Sequence, residues 1–254
     1  MTPTNALITG AGSGMGQIAA WKLGAAGVNV AAVDVNDGGL EQTAARDPHV
    51  HAYRCDVTDR AEVHRVVAKV EADLGPLDRV MNAAGIARVG LLLDQDIAEM
   101  MRMMEINYGG TATITAATLP GMLERGRGEL VNFASMAGWI PQKKMGAYCA
   151  TKFAVVAYSE ALWQENRGKG VKIACVCPPA VRTPMLPDFF ARPENQRKAM
   201  PITAEAVVEA IERALDHDRF LVLPHASAKV LWRLRRHAPR VLRRVIGSQR
   251  FDLI

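Results

Sequence analysis

Tyr148 and Lys152 stand four residues apart in Tyr148-Cys149-Ala150-Thr151-Lys152, within a segment whose pattern predicts a helix. Residues at i and i+4 share one helix face. A phenol titrates near ~10 and a lysine near ~10.4 in isolation, so neither exchanges protons readily at neutral pH. A cation one turn away favours phenolate over phenol and lowers the tyrosine's pKa toward the range of general acid–base catalysis. Taken alone, the spacing equally describes an ordinary solvated pair on a helix. Two further features point to chemistry. Ser135 closes Glu129-Leu130-Val131-Asn132-Phe133-Ala134-Ser135, an apolar run after Gly126 and Gly128 that reads as a buried strand. A hydroxyl at a strand's C-terminal edge faces the ligand crevice of an open α/β sheet. At the N-terminus, Ala6-Leu7-Ile8-Thr9-Gly10-Ala11-Gly12-Ser13-Gly14-Met15-Gly16 passes from an apolar strand through a glycine-rich turn into the helical Ile18-Ala19-Ala20-Trp21-Lys22-Leu23. Backbone amides at such a turn suit a pyrophosphate.

In their order and spacing these blocks resemble the short-chain dehydrogenase/reductase family, of the compact type close to this chain's 254 residues. The resemblance covers residues 5 to about 224. The family's opening Thr-Gly-x-x-x-Gly-x-Gly is matched by Thr9, Gly10, Gly14 and Gly16, with Ser13 and Met15 in the same turn, and its Asn-Ala-Ala-Gly by Asn82, Ala83, Ala84 and Gly85. The resemblance implies Asn107, Ser135, Tyr148 and Lys152 as the catalytic set and a nicotinamide dinucleotide as cofactor. It also implies a Rossmann-type fold: one doubly wound parallel sheet of about seven strands with helices on both faces.

The elements that must position these residues follow in alternation. Val28-Asn29-Val30-Ala31-Ala32-Val33-Asp34 reads as a second strand ending in a carboxylate, placed to accept hydrogen bonds from an adenosine ribose and to repel a 2′-phosphate. Ser13, Val35 and Asn36 occupy positions where a phosphate-binding relative would carry Arg or Lys, so the expected cofactor is NAD rather than NADP. Val50 to Cys55 is a third strand, followed by Asp56-Val57. The resemblance puts that pair at the adenine, while Asp56 equally serves as a cap for the helix starting near Asp59. Residues 59 to 74 show an apolar face of Val63, Val66, Val67 and Val70, and Leu77 to Asn82 is a fourth strand.

Residues 94 to 125 read as one or two helices carrying Met100, Met101, Met103, Met104 and Ile106, methionines of a kind that fill cores or subunit interfaces. The resemblance implies that this helix and the Tyr148 helix pair with their mates in a homodimer or homotetramer, and that Asn107 holds a water relaying protons from Lys152. A sixth strand, Val171 to Cys177, leads into Pro178-Pro179-Ala180-Val181-Arg182-Thr183. Pro178, Val181 and Thr183 match the family's nicotinamide-carboxamide segment, but Pro179 replaces its glycine, which removes an amide donor and fixes φ. That change is expected to stiffen the wall beside the nicotinamide. Residues 185 to 200, with Met185, Leu186, Phe189 and Phe190, are either an apolar lid over an apolar substrate or a surface loop packed on its own body; Trp139 and Ile140 add apolar surface nearby. A helix over 203 to 215 and a strand over 219 to 224 complete the pattern.

Composition bounds the reading. The length, without a Pro/Gly/Ser-rich linker or internal repeat, predicts one domain over 1–254 with 225–254 as an extension. No apolar run reaches the ~20 residues of a membrane span and no charged leader precedes the first strand, so a cytoplasmic protein is expected. Cys55, Cys149, Cys175 and Cys177 lack metal-ligand spacing with histidine, and no metal is expected; buried structural thiols are. Residues 229 to 254 hold eight of the 31 Lys and Arg and one of the 26 Asp and Glu, so the basicity belongs to a C-terminal appendage. There Pro239 is expected to separate two basic amphipathic helices, which either pack against the substrate lid or a neighbouring subunit, lie on an anionic membrane, or contact nucleic acid, the last not expected. The function expected is oxidation of a hydrophobic secondary alcohol, or reduction of its ketone, by hydride transfer. The alternative is a dinucleotide-binding sensor or scaffold working through its basic tail.

Overall fold

In the computed structural model, residues 3–185 and 201–246 are described. Seven strands form one sheet, all neighbours parallel, in the order β3-β2-β1-β4-β5-β6-β7. They are β1 (Asn5–Thr9), β2 (Asn29–Asp34), β3 (Val50–Arg54), β4 (Arg79–Asn82), β5 (Gly128–Phe133), β6 (Val171–Val176) and β7 (Leu221–Val222). The helices are α1 (Gly14–Ala25), α2 (Asp37–Ala44), α3 (Arg60–Leu74), α4 (Ile97–Met104), α5 (Thr111–Glu124), α6 (Gly146–Glu165), α7 (Ala204–Asp216), α8 (Ala226–His237) and α9 (Pro239–Ile246).

A parallel strand covered on both faces reads as a continuous apolar run, and β1 and β4 are buried throughout. Period-two alternation then assigns residues to faces. Ala6, Ile8, Val30, Ala32 and Met81 pack with Ala19, Ala20 and Leu23 of α1 and Val207, Val208 and Ile211 of α7. Leu7, Ala31, Val33 and Val80 point the other way, onto Val63, Val67 and Val70 of α3 and Ile114, Leu119 and Met122 of α5. Strand order reverses direction between β1 and β4, and a sheet of this kind opens its ligand crevice at that switch, outside the C-terminal ends of the strands.

One departure from the sequence pattern matters for the site. The region expected as one or two helices is three pieces, because a π-helical turn, Glu105–Gly110, interrupts α4 and α5. Of its methionines, Met103 is fully buried, whereas Met101 and the nearby Ile97 stay exposed. The C-terminal segment forms two helices divided at Pro239 as expected, and they pack: Leu242 is 1% exposed in a cluster with Trp139, Ile140, Cys175 and Cys177. The expected lid, residues 186 to 200, lies outside the described residues; Met185 lies within them and packs in a cluster with Tyr148 and Met145.

Candidate active site

The glycine turn joins β1 to α1 with almost no room. Gly10 has φ +68°, and a Cβ there would stand 2.7 Å from the Ala84 nitrogen. At Gly16 a Cβ would meet the Gly10 carbonyl oxygen, so the helix can leave the strand at this angle only with glycine in both places. Ser13 makes no side-chain capping bond and no acidic residue stands in the first turn of α1. The N–H groups of that turn are therefore left for another acceptor. They border a cavity of about 420 Å³ whose walls include Gly10, Ser13, Gly14, Met15 and Gly16.

One end of this cavity is framed by carboxylates. Asp34, the last residue of β2, accepts from the Gly12 amide through Oδ2 at 2.9 Å and from the Val35 and Asn36 amides through Oδ1. It is thereby fixed toward the glycine turn, and a Cβ on Gly12 would stand 3.0 Å from its Oδ2. Asp56 and Val57 line the same end. Asp56 does not cap α3, because Asp59 takes that place and accepts from the Glu62 amide. Asp56 instead accepts from the Thr58 amide and hydroxyl and from Arg102, an arrangement that holds its carboxyl below the usual carboxylate range despite the opposing effect of burial. Arg102 and Arg54 are cavity residues that sequence reasoning missed. Neither belongs to a motif; Arg54 is found only through its pairing with Asp34 across β2 and β3, and Arg102 through its reach from α4 to Thr58 and Asp56. The Arg54 guanidinium is shared between Asp37 and Glu62.

At the other end lie Gly85 and Ile86, and behind them the four residues expected to do chemistry. Lys152 is 4% exposed and its Nζ donates to the Phe133 carbonyl at 2.7 Å, tying α6 to the end of β5. A Cβ placed on Gly85 would stand 3.6 Å from that Nζ. The same Nζ is 5.8 Å from the centre of the Tyr148 ring. Ser135, just past β5, accepts from the Ala137 amide and stands against Tyr148.

The protonation balance differs from the sequence expectation. Burial pushes the Tyr148 phenol up to about 12, the Ser135 side chain acting in the opposite sense, and burial pulls Lys152 down to about 8. The expected lowering of the tyrosine by its lysine does not emerge, because desolvation disfavours the charged form of both partners. Asn107 braces the site from beneath. Fully buried in the π-helical turn, it donates to the Ile86 carbonyl and the Thr151 hydroxyl and accepts from the Ile86 amide. Both its side-chain amide protons are used in pinning the segment after β4 to α6.

Of the expected cofactor residues, Gly10, Ser13, Gly14, Met15, Gly16, Asp34, Asp56, Val57, Ala83, Gly85 and Thr183 line the cavity. Asn82, Tyr148, Lys152, Pro178 and Val181, also expected at the cofactor, do not. Asn82 is buried beneath the crevice, donating to Thr115 and Asn132. The Pro178 carbonyl accepts from the Met136 amide, and Val181 bridges to Ile202. Pro184 and Met185 take the wall position beside Thr183. All four cysteines are buried and free, with the Cys175 and Cys177 sulfurs 3.9 Å apart on one face of the chain.

A long cavity with a tight glycine turn and unpaired helix amides at its middle, and a carboxylate at one end, fits a dinucleotide. Comparison with known proteins agrees with this. The model of the short chain dehydrogenase family matches residues 4–194. The chain is 37% identical over 182 residues to D-threitol dehydrogenase of Mycolicibacterium smegmatis, covering 70% of each chain. It is 31% identical over 240 residues to human 17-beta-hydroxysteroid dehydrogenase 13, covering 92% of this chain and 78% of the relative. A crystal structure of a short chain dehydrogenase/reductase from Burkholderia phymatum in complex with NAD superposes with a TM-score of 0.84, at 27% identity and 94% coverage of both chains. Sheet order, glycine turn and the Ser135, Tyr148 and Lys152 cluster are thus accounted for together: the chain belongs to the short-chain dehydrogenase/reductase family.

Proposed function

We propose that the protein is an NAD-dependent oxidoreductase, acting as one domain, that interconverts an apolar secondary alcohol and its ketone. The observation that carries this reading is the convergence of Ser135, Tyr148 and Lys152 behind one end of a cavity whose other end is framed by Asp34. Gly10, Ser13, Gly14, Met15 and Gly16 would hold the pyrophosphate, Asp34 the adenosine ribose, Asp56 and Val57 the adenine, and Lys152 and Thr183 the nicotinamide half. When bound, the nicotinamide ring gives or accepts the hydride. Tyr148 gives or takes the hydroxyl proton through its Oη, and Ser135 hydrogen-bonds the same substrate oxygen and keeps it beside the phenol. Lys152, held by the Phe133 carbonyl, favours the phenolate at the moment the proton leaves. Asn107 keeps Ile86 and α6 in register, which fixes the distance from cavity to phenol.

The two named relatives act on a polyol and on a hydroxysteroid by their names. The surroundings of Tyr148 favour the apolar class: Met145, Met185, Met100 and Ile86 share its cluster. Ile97, Met101 and Phe153 leave apolar surface exposed on α4 and α6, which supports pairing of those helices with a second copy of the chain. Absorbance in the NADH band tests the reading, with NAD or NADP offered alongside a panel running from sugars through linear alcohols to steroids. Turnover is expected with NAD and bulky apolar alcohols, and the Tyr148→Phe variant should lose about 10²–10⁴-fold in rate while still binding NADH. Retention of substantial turnover in that variant would sink the proton-transfer scheme. Silence of the wild type across the panel, with NADH binding intact, would favour the sensor or scaffold.

A further inference from the structure

A second cavity, of about 560 Å³, lies away from the first and shares no lining residue with it. It runs along β7, the edge strand of the sheet, between the C-terminal half of α7 and the first helix of the basic extension. Its floor is apolar: Ala210, Ala214, Leu221, Val222, Leu223 and Pro224. Its rim is cationic, formed by Arg213, Arg219, Lys229 and Arg233 together with His217. Among the described residues no carboxylate lines it, although Asp216 and Asp218 belong to the same turn as His217 and Arg219.

Helix geometry explains how α8 contributes. Lys229, Trp232, Arg233 and Arg236 are spaced i, i+3, i+4 and i+7 and so form one face. Lys229, Trp232 and Arg233 line the cleft, and the Arg236 guanidinium lies 5.4 Å from the centre of the Trp232 ring. The opposite face of the helix, Leu231 and Leu234, packs into the body. Arg213 has Glu209 at 3.9 Å, but Arg219, Lys229 and Arg233 pair with no carboxylate among the described residues. Three of these cations are therefore gathered around a concave apolar floor with no carboxylate partner among the described residues. Such an arrangement is unfavourable for the folded chain alone and favourable once an anion enters.

We infer that this cleft is a binding site for a phosphate-bearing ligand, with the phosphate held by Arg219, Lys229 and Arg233 and an attached apolar or planar group lying against Trp232 and the Leu221 and Leu223 floor. Two or more cations sharing one phosphate give charge-assisted hydrogen bonds, and an indole at the rim offers a flat surface to the rest of the molecule. A soluble phosphate ester and the headgroup of an anionic phospholipid present the same chemistry to these residues.

The test uses the full-length protein and two probes. Calorimetric titration with naphthyl phosphate reads the soluble source; co-sedimentation with vesicles of phosphatidylcholine, alone or mixed equally with phosphatidic acid, reads the lipid source. Each is run on the wild type, on Arg219→Glu/Lys229→Glu/Arg233→Glu, and on a control with the same charge change on α3, Arg60→Glu/Arg65→Glu/Lys69→Glu. All six positions are exposed, so both variants are expected to fold. Binding of naphthyl phosphate that weakens about tenfold or more in the cleft variant and not in the control establishes the site with a soluble ligand. Binding confined to phosphatidic acid vesicles, with the same pattern of loss, establishes it with a membrane lipid. The inference is overturned if the wild type binds neither probe, or if both variants lose binding equally. None of these readings depends on turnover, so they stand or fall separately from the proposed reaction.

Discussion

Burial governs the ionisable residues at the centre of this site. Tyr148 and Lys152 sit one helical turn apart, yet the phenol is pushed up to about 12 and the ammonium down to about 8. At neutral pH the phenol is protonated, so alcohol oxidation, which consumes a phenolate, should accelerate as pH rises. The same shifts set a stability signature. Lys152 has a folded pKa below its ordinary 10.5, so between about 8 and 10.5 the unfolded chain holds a proton that the folded chain has lost. Stability contributed by this residue therefore rises with pH through that window, by up to about 1.4 kcal/mol per pH unit. Tyr148 acts in the opposite sense above pH 10, where the unfolded phenol ionises first. Urea midpoints at several pH values between 8 and 10 check the first effect in wild type and Lys152→Met. The variant should be the more stable of the two near pH 8 and its advantage should shrink as pH rises; a gap that does not change with pH would show that Lys152 titrates normally.

Elements bring these residues to the cavity, and the sequence revealed them unevenly. The glycine turn, the acidic end of β2 and the Ser135, Tyr148 and Lys152 positions were legible because each is a local constraint: a close backbone approach, a strand end, a helix face. The π-helical turn was not, since α4 and α5 carry one continuous helical pattern and the extra residue in the turn is dictated by packing across the molecule. Gly110 shows that packing. A Cβ there would stand 2.5 Å from Cγ2 of Val57, a cavity-wall residue, whereas one on Gly109 would have its nearest neighbour at 3.9 Å. Gly110→Ala should therefore cost about 1–3 kcal/mol by overpacking and displace Val57, weakening NADH binding. Gly109→Ala should be neutral or slightly stabilising, because alanine is the better helix former by about 1 kcal/mol. Thermal melting and NADH fluorescence titration of the two variants check this, and equal behaviour would mean that Gly110 does not set the distance between the π turn and the cavity. The same non-local origin hid Arg102, whose partners Thr58 and Asp56 lie more than forty residues away.

At the scale of the whole molecule the C-terminal extension decides how the fold is closed. Its amphipathic, basic pattern was compatible with packing, a membrane surface or nucleic acid, because the periodicity states only that one face is apolar and not what covers it. The structure places Leu242 and Ala228 in the interior, with Leu231, Leu234 and Trp232 half-buried against the Trp139 and Cys177 region next to Ser135. The extension is thus packed on the segment that follows Ser135, while its arginines face outward or toward the second cleft. This makes its contribution measurable at a single side chain. Leu242→Ala removes a nearly fully buried leucine and should cost about 2–5 kcal/mol. Val241→Ala, on the half-exposed neighbour, should stay within about 0.5 kcal/mol. Urea midpoints give both values, and near-ultraviolet circular dichroism reports whether Trp139 loses its fixed surroundings in the first variant only. If the two substitutions had the same small effect, the extension would be an appendage free of the body, as a scaffold's working surface would be. A large and selective loss at Leu242 makes the extension a structural part of the fold, packed on the Trp139 and Ile140 segment that follows Ser135.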